Sequence, residues 1–227
     1  MVSTGIDPIH AQYHFHDNTF STRGYTWAAS IIPKSPRHDH VCTTCGAVNH
    51  SPSGAYDVIV EGGTKYPDIL GCGAYPFLIV SEKVIGVWQA AGINCFHTYP
   101  VNVAGVRSKP LRNITPPAYF SVEIEGSCRI DPVASGFKVI RICPECHRVI
   151  AQPVIPDEHR YVMENNSWDG SPLFRDPIQY PCVSFCTQQV LELAGQHHLT
   201  NFYFENMDVP LYRAGKGIDY LKLKPRK

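Results

Sequence analysis

Four cysteines in two short pairs carry the clearest chemical signal in this chain: Cys42-Thr43-Thr44-Cys45-Gly46 and Cys143-Pro144-Glu145-Cys146-His147. A Cys-x-x-Cys turn holds both sulfurs at metal distance, and its backbone N–H groups can point at them and offset thiolate charge. Two such knuckles supply four thiolates, a closed tetrahedral set for one zinc ion with no position left for a catalytic water. The zinc expected on Cys42, Cys45, Cys143 and Cys146 is therefore structural. The pairs stand 101 residues apart, so the chain must fold back on itself to complete the site.

Other chemistry is open to the same residues. Cys143 to His147 also fits the attachment motif of c-type haem, and a single pair fits a thioredoxin-like redox site. Haem attachment needs export, and a redox pair needs a helix N-terminus, whereas both pairs here precede turn-like or polar segments. His38, His40 or His147 could replace one thiolate as ligand; otherwise they are hydrophilic neighbours of exposed knuckles. Cys72, Cys95 and Cys128 lie singly near apolar or glycine-rich sequence and read as small buried hydrophobes. Cys182 and Cys186 are expected to pack in the core, with a second metal site as the alternative. His10, His14 and His16 alternate as on a strand and read as a solvated face, although a strand of this kind could also bind metal. His197 and His198 fall where a cation would meet a helix C-terminus.

The elements that must position these groups can be read from local pattern. Tyr56 to Glu61 is a strand ended by Gly62-Gly63, and Phe137 to Ile142 alternates as a strand immediately before the second knuckle. Ser81 is a candidate N-cap for a helix whose face carries Val84, Ile85, Trp88 and Ala91, closed by Gly92. Thr187 takes the same place before Val190, Leu191 and Ala194. Extended segments follow from Ile93 to Val103 and from Leu199 to Val209. A constant offset of 106 places Thr187 on Ser81, Val190 on Val84, Leu199 on Ile93 and Phe202 on Phe96. These parallels predict one α+β domain over residues 1–227, built from two similar knuckle–strand–helix–strand halves spanning approximately 38–104 and 137–210. Each half would give one knuckle to the common zinc. The proline-rich stretches Pro110 to Pro117 and Pro153 to Pro181 read as loops or edges.

Composition narrows the class. Twenty basic residues balance twenty acidic ones over 227 positions, so no broad positive field awaits a phosphate backbone. The basic tail Lys222, Lys224, Arg226 and Lys227 reads as a solvated terminus. No apolar run is long enough to span a bilayer, and the first thirty residues lack a basic start with a hydrophobic stretch. A cytoplasmic protein without membrane contact is expected. No nucleophile elbow, phosphate-binding glycine loop or paired acid–base spacing is present, which argues against an enzyme.

With the knuckles and the segments Phe77 to Val103 and Val183 to Val209 in view, the chain resembles the double-CXXCG motif family of bacterial proteins. Leu78-Ile79-Val80-Ser81-Glu82-Lys83-Val84, followed by Ala91-Gly92-Ile93, resembles the helix region of related polymorphic-toxin immunity proteins. The resemblance implies a non-enzymatic immunity-type protein that binds and neutralises a cognate toxin protein, with Cys42, Cys45, Cys143 and Cys146 as metal ligands. The chain departs from the family at His147, which stands in a glycine position suited to left-handed backbone. Tyr161, Trp168 and Asp169, in a proline-rich connection with an exposed turn, are the candidate partner contacts. The alternative is a zinc-knuckle nucleic-acid-binding module with a basic stripe from Arg37, Arg141 and Arg148.

Overall fold

The computed structural model describes residues 12–17, 24–34, 40–49, 54–72, 77–154 and 160–207. His10, Arg37, His38 and the C-terminal basic tail lie outside these residues, as do the side chains of His14 and His16. The fold is mixed α+β, mostly sheet with two helices.

A six-stranded sheet is built from β2 (Trp27–Pro33), β5 (Tyr56–Glu61), β6 (Ile69–Leu70), β7 (Leu78–Ser81), β8 (Phe96–Val106) and β9 (Tyr119–Ile124), in the order β2-β5-β8-β9-β7-β6. Strand β5 alternates buried and half-buried residues because Tyr56, Val58 and Val60 enter an apolar core on one face while Asp57, Ile59 and Glu61 lie on the other. Strand β7 is buried throughout, since its two faces enter different cores. Five further strands form the second sheet: β1 (Gln12–Asp17), β10 (Gly126–Ser127), β13 (Leu173–Asp176), β14 (Tyr180–Thr187) and β15 (Phe202–Asn206), ordered β10-β13-β14-β1-β15. The knuckles sit at the tips of two separate hairpins, β3 (His40–Val41) with β4 (Val48–Asn49), and β11 (Phe137–Ile142) with β12 (Val149–Pro153).

Helices α1 (Glu82–Ala90) and α2 (Gln188–Gln196) follow directly from β7 and β14. Their termini coincide at the 106-residue offset. Ser81 and Thr187 are the N-cap residues with extended backbone, Ala91 and His197 the C-caps, and Gly92 and His198 both take positive φ. Neither N-cap side chain caps its helix. The Ser81 hydroxyl instead donates to Asp68 Oδ1 at 3.0 Å. Sequence alone indicates that hydroxyl's capacity, whereas the competing carboxylate arrives from a distant turn.

The two sheets share local topology around these helices. In the first, β9 lies antiparallel between β7 and β8, with β6 antiparallel on the outer side of β7. In the second, β1 lies antiparallel between β14 and β15, with β13 on the outer side of β14. The central strand thus comes after the helix unit in one sheet and from the N-terminal region in the other. One core cluster joins both sheets and both helices, and it holds Val80 with Cys186, Val84 with Val190, Trp88 with Ala194, Ile93 with Leu199, and Phe96 with Phe202. Each of these pairs again spans 106 residues.

The Pro153 to Pro181 stretch departs from the loop expectation, because it contains β13 and the start of β14. Leu173 and Phe174 are fully buried there, and burial of two such side chains outweighs the flanking prolines. A polar clasp also ties the sheets together. Asp68 Oδ2 accepts from Thr200 N and Thr200 Oγ1, each at 2.8 Å, and the Asn201 amide donates to Ile69 O at 2.9 Å.

Candidate metal centre

Each knuckle is closed by the same backbone pattern. Gly46 N donates to Cys42 O at 2.8 Å and Cys42 N to Ala47 O at 2.8 Å; His147 N donates to Cys143 O at 3.0 Å and Cys143 N to Arg148 O at 2.9 Å. This turn needs a left-handed residue after the second cysteine, supplied by Gly46 at φ 71° and by His147 at φ 58°. His147 therefore adopts the left-handed conformation that Gly46 takes in the first knuckle, at a cost glycine would not incur.

The hairpin tips meet. Cys42 Sγ lies 3.6 Å from Cys143 Sγ, Cys45 Sγ lies 3.6 Å from Cys146 Sγ, and all four sulfurs fall within 4.8 Å of one another. Tetrahedral zinc with zinc–sulfur bonds of about 2.3 Å sets its sulfurs about 3.8 Å apart. The donor set fits an ion of that kind, and its identity is not fixed by four sulfurs alone, since the same set suits iron. Among the described residues this is the one cluster of His, Cys, Asp or Glu side chains able to share an ion, and it contains no imidazole. His40 and His147 are exposed beside it.

The thiols are not equivalent. Backbone N–H groups of Cys146 and Glu145 hold Cys143 down to about 6 against the effect of burial. Burial pushes Cys42 up to about 12, with the sulfurs of Cys45 and Cys143 adding to the rise. A cation taken up by this set would displace the proton that burial holds on Cys42.

Glu145, in the second knuckle, reaches across to the first. Its Oε2 accepts from Thr44 Oγ1 at 2.7 Å, Thr43 Oγ1 at 3.0 Å and Thr44 N at 3.1 Å, and the Cys42 thiol lies 3.3 Å away. These donors, Thr44 first, hold its carboxyl down to about 2. An acidic side chain in one knuckle thus meets two hydroxyls in the other, a polar contact between the knuckles beside the sulfurs. Sequence reading passed over this contact. The signal lay in the register, because Glu145 and Thr44 occupy the same position when the cysteine pairs are overlaid at their 101-residue offset.

The other cysteines divide by environment. Cys72, Cys128 and Cys186 are buried and Cys95 is half-buried, whereas Cys182 is exposed rather than in the core. Among the described residues, Cys182 and Cys186 belong to no group of three or more side chains able to share an ion. Tyr161 stacks edge-on against Tyr180 and Phe185, and Trp168 packs against Phe174 while its indole N–H donates to Ser171 O at 3.0 Å. Asp169 accepts from Ser127 N at 2.7 Å and Ser171 N at 2.9 Å. All three proposed contact residues thus have intramolecular partners and are at most partly exposed or engaged in turn bonding. Arg141 is exposed, while Arg148 donates through Nε to Ile178 O at 3.0 Å, so these two do not form a free basic stripe.

No protein-family model matches the chain, and no curated protein matches it with significance. Among the described residues, no helix is long and apolar enough to cross a membrane.

Proposed function

We propose that this chain is a non-enzymatic immunity-type protein, stapled by one structural zinc, that binds and neutralises a toxin protein. The observation that carries the structural part is the meeting of four sulfurs from knuckles 101 residues apart. Closed four-sulfur coordination supports a scaffold role over water activation. In this reading the two halves descend from one duplicated unit and each contributes a knuckle. The coincident helix termini and the strand orders β6-β7-β9-β8 and β13-β14-β1-β15 support that view. The partner class rests on the sequence resemblance to the double-CXXCG and toxin-immunity proteins.

Two measurements test the proposal. Anaerobically purified, chelator-free protein should contain one zinc per chain by elemental analysis; material without bound transition metal would remove the scaffold argument. Co-expression with a toxin encoded by an adjacent gene should restore growth and yield a zinc-loaded complex. Failure of every neighbouring toxin to bind or be neutralised would end the immunity reading while leaving the metal site standing.

A further inference from the structure

Strand β11 stands apart from both main sheets. It pairs only with β12 among the described strands, and three of its last four residues are exposed isoleucine or arginine side chains. Ile140 and Ile142 are 58% and 60% exposed, and Val133 and Val154 at the hairpin base are 68% and 65% exposed. These are four of the seven large hydrophobics exposed among the described residues, so the apolar surface is concentrated here rather than scattered. The far side of β12 is occupied, because the Gln179 side chain bonds both Val149 N and Val149 O. The far side of β11 has no such cover from a described strand.

The register adds charge to this edge. Lys138 opposes Gln152, Val139 opposes Ala151, Arg141 opposes Ile150, and Ile142 opposes Val149, with a bulge between Val139 and Arg141. Gln152 and Ile150 share one face of β12, since side chains two apart point the same way. The bulge therefore brings Lys138 and Arg141 to one face, although an unbroken strand would set them on opposite faces. Val139 and Ile142 share the other face. Neither Lys138 nor Arg141 makes an ion pair with a described residue.

We propose that the outer edge of β11 is a docking site for an extended protein segment whose residues alternate acidic and apolar, added as a further strand. The inference rests on the partner-binding reading and names its surface and the chemistry of its partner. Edge backbone groups supply affinity in such strand addition, and alternating side chains supply specificity. Acidic residues would meet the Lys138–Arg141 face and apolar ones the Val139–Ile142 face. A second copy of this chain is a poorer occupant. Pairing two β11 edges would put four cations into one two-strand ladder, where like charges facing each other are unfavourable.

The test uses the full zinc-loaded chain and two fluorescent, capped nine-residue peptides, one alternating Glu with Val and the other Lys with Val. Anisotropy should show binding of the Glu peptide over the Lys peptide, weakening as salt rises. The double variant Lys138→Glu/Arg141→Glu, altered only at exposed positions, should lose about tenfold or more in affinity for the Glu peptide and gain for the Lys peptide. Equal binding of both peptides, or indifference to the charge reversal, overturns the proposal. So does a preference for a fifteen-residue oligouridine over the Glu peptide, which would assign the edge to nucleic acid. If a toxin partner binds the double variant as well as the wild type, the edge is excluded while the immunity reading survives.

Discussion

Removing the metal, by chelation or by Cys146→Ser, should lower stability by an amount the topology sets. An ion held by all four sulfurs would tie Cys42 and Cys45 to Cys143 and Cys146, closing a loop of 101 residues. Cross-linking a loop of this length removes chain entropy from the unfolded state worth about 4.7 kcal/mol at 25 °C. The full affinity of a structural zinc is larger, but each Cys-x-x-Cys pair can hold metal in the unfolded chain, so the loop contribution is the secure part. A domain of this size shifts its melting temperature by about 2–4 °C per kcal/mol, which gives a fall of about 9–19 °C. Against a typical stability of about 5–15 kcal/mol, that is between about a third and nearly all of the folding margin. The shared core and the Asp68–Thr200 clasp remain in place, so metal-free protein that does fold should keep native far-ultraviolet dichroism at low temperature. Differential scanning calorimetry of zinc-loaded, stripped and Cys146→Ser protein measures the effect. Melting temperatures within about 3 °C of each other would refute the claim that the ion staples distant segments.

Zinc uptake at pH 7 by stripped protein should release the protons of every ligand thiol not yet ionised, among them that of Cys42, raised to about 12 by burial, and that of Cys146. The latter is also raised, since burial and the Cys45 and Cys143 sulfurs outweigh the lowering Arg148 N–H. Titration in weak buffer with a pH indicator reads this directly, and zinc uptake without proton release would contradict the assignment. Glu145→Ala should weaken zinc affinity by about 10–100-fold in a chelator competition, with Glu145→Gln intermediate because it retains one acceptor oxygen; unchanged affinity in both would show that the cross-knuckle bonds do not position the ligands. His147→Val should destabilise the protein by about 1–2 kcal/mol relative to His147→Gly, measured by urea unfolding of zinc-loaded samples, and equal stability would argue against the left-handed backbone at this turn. Trp88→Ala, at a fully buried site in the core shared by both sheets, should cost about 3–5 kcal/mol and lower a single cooperative transition; two separate transitions would show that the sheets do not share one core.

The parts of this protein legible before folding are those governed by near neighbours. The alternation of Tyr56 to Glu61 and the run from Phe137 to Ile142 match β5 and β11, because a strand's faces follow every second residue. Ser81 and Thr187 begin helices at a common offset because apolar spacing and backbone preference act within a few residues. The knuckle geometry is equally local, since each turn is closed by bonds spanning four or five residues.

Pairings between remote segments belong to the tertiary structure. Nothing local assigns β1 to the gap between β14 and β15, or makes Leu173 and Phe174 a buried strand amid prolines. Tyr161 and Trp168 have the composition of a contact patch, but apolar rings pack against Phe174, Phe185 and Tyr180 when those come within reach. Glu145 could have faced solvent like most carboxylates until Thr43 and Thr44 were brought to it across 101 or 102 residues. Residue spacing dictated what each knuckle can hold. Which groups face one another depended on long-range chain closure, where a contact is worth making only if the burial and bonding it gains exceed the entropy lost in bringing its partners together.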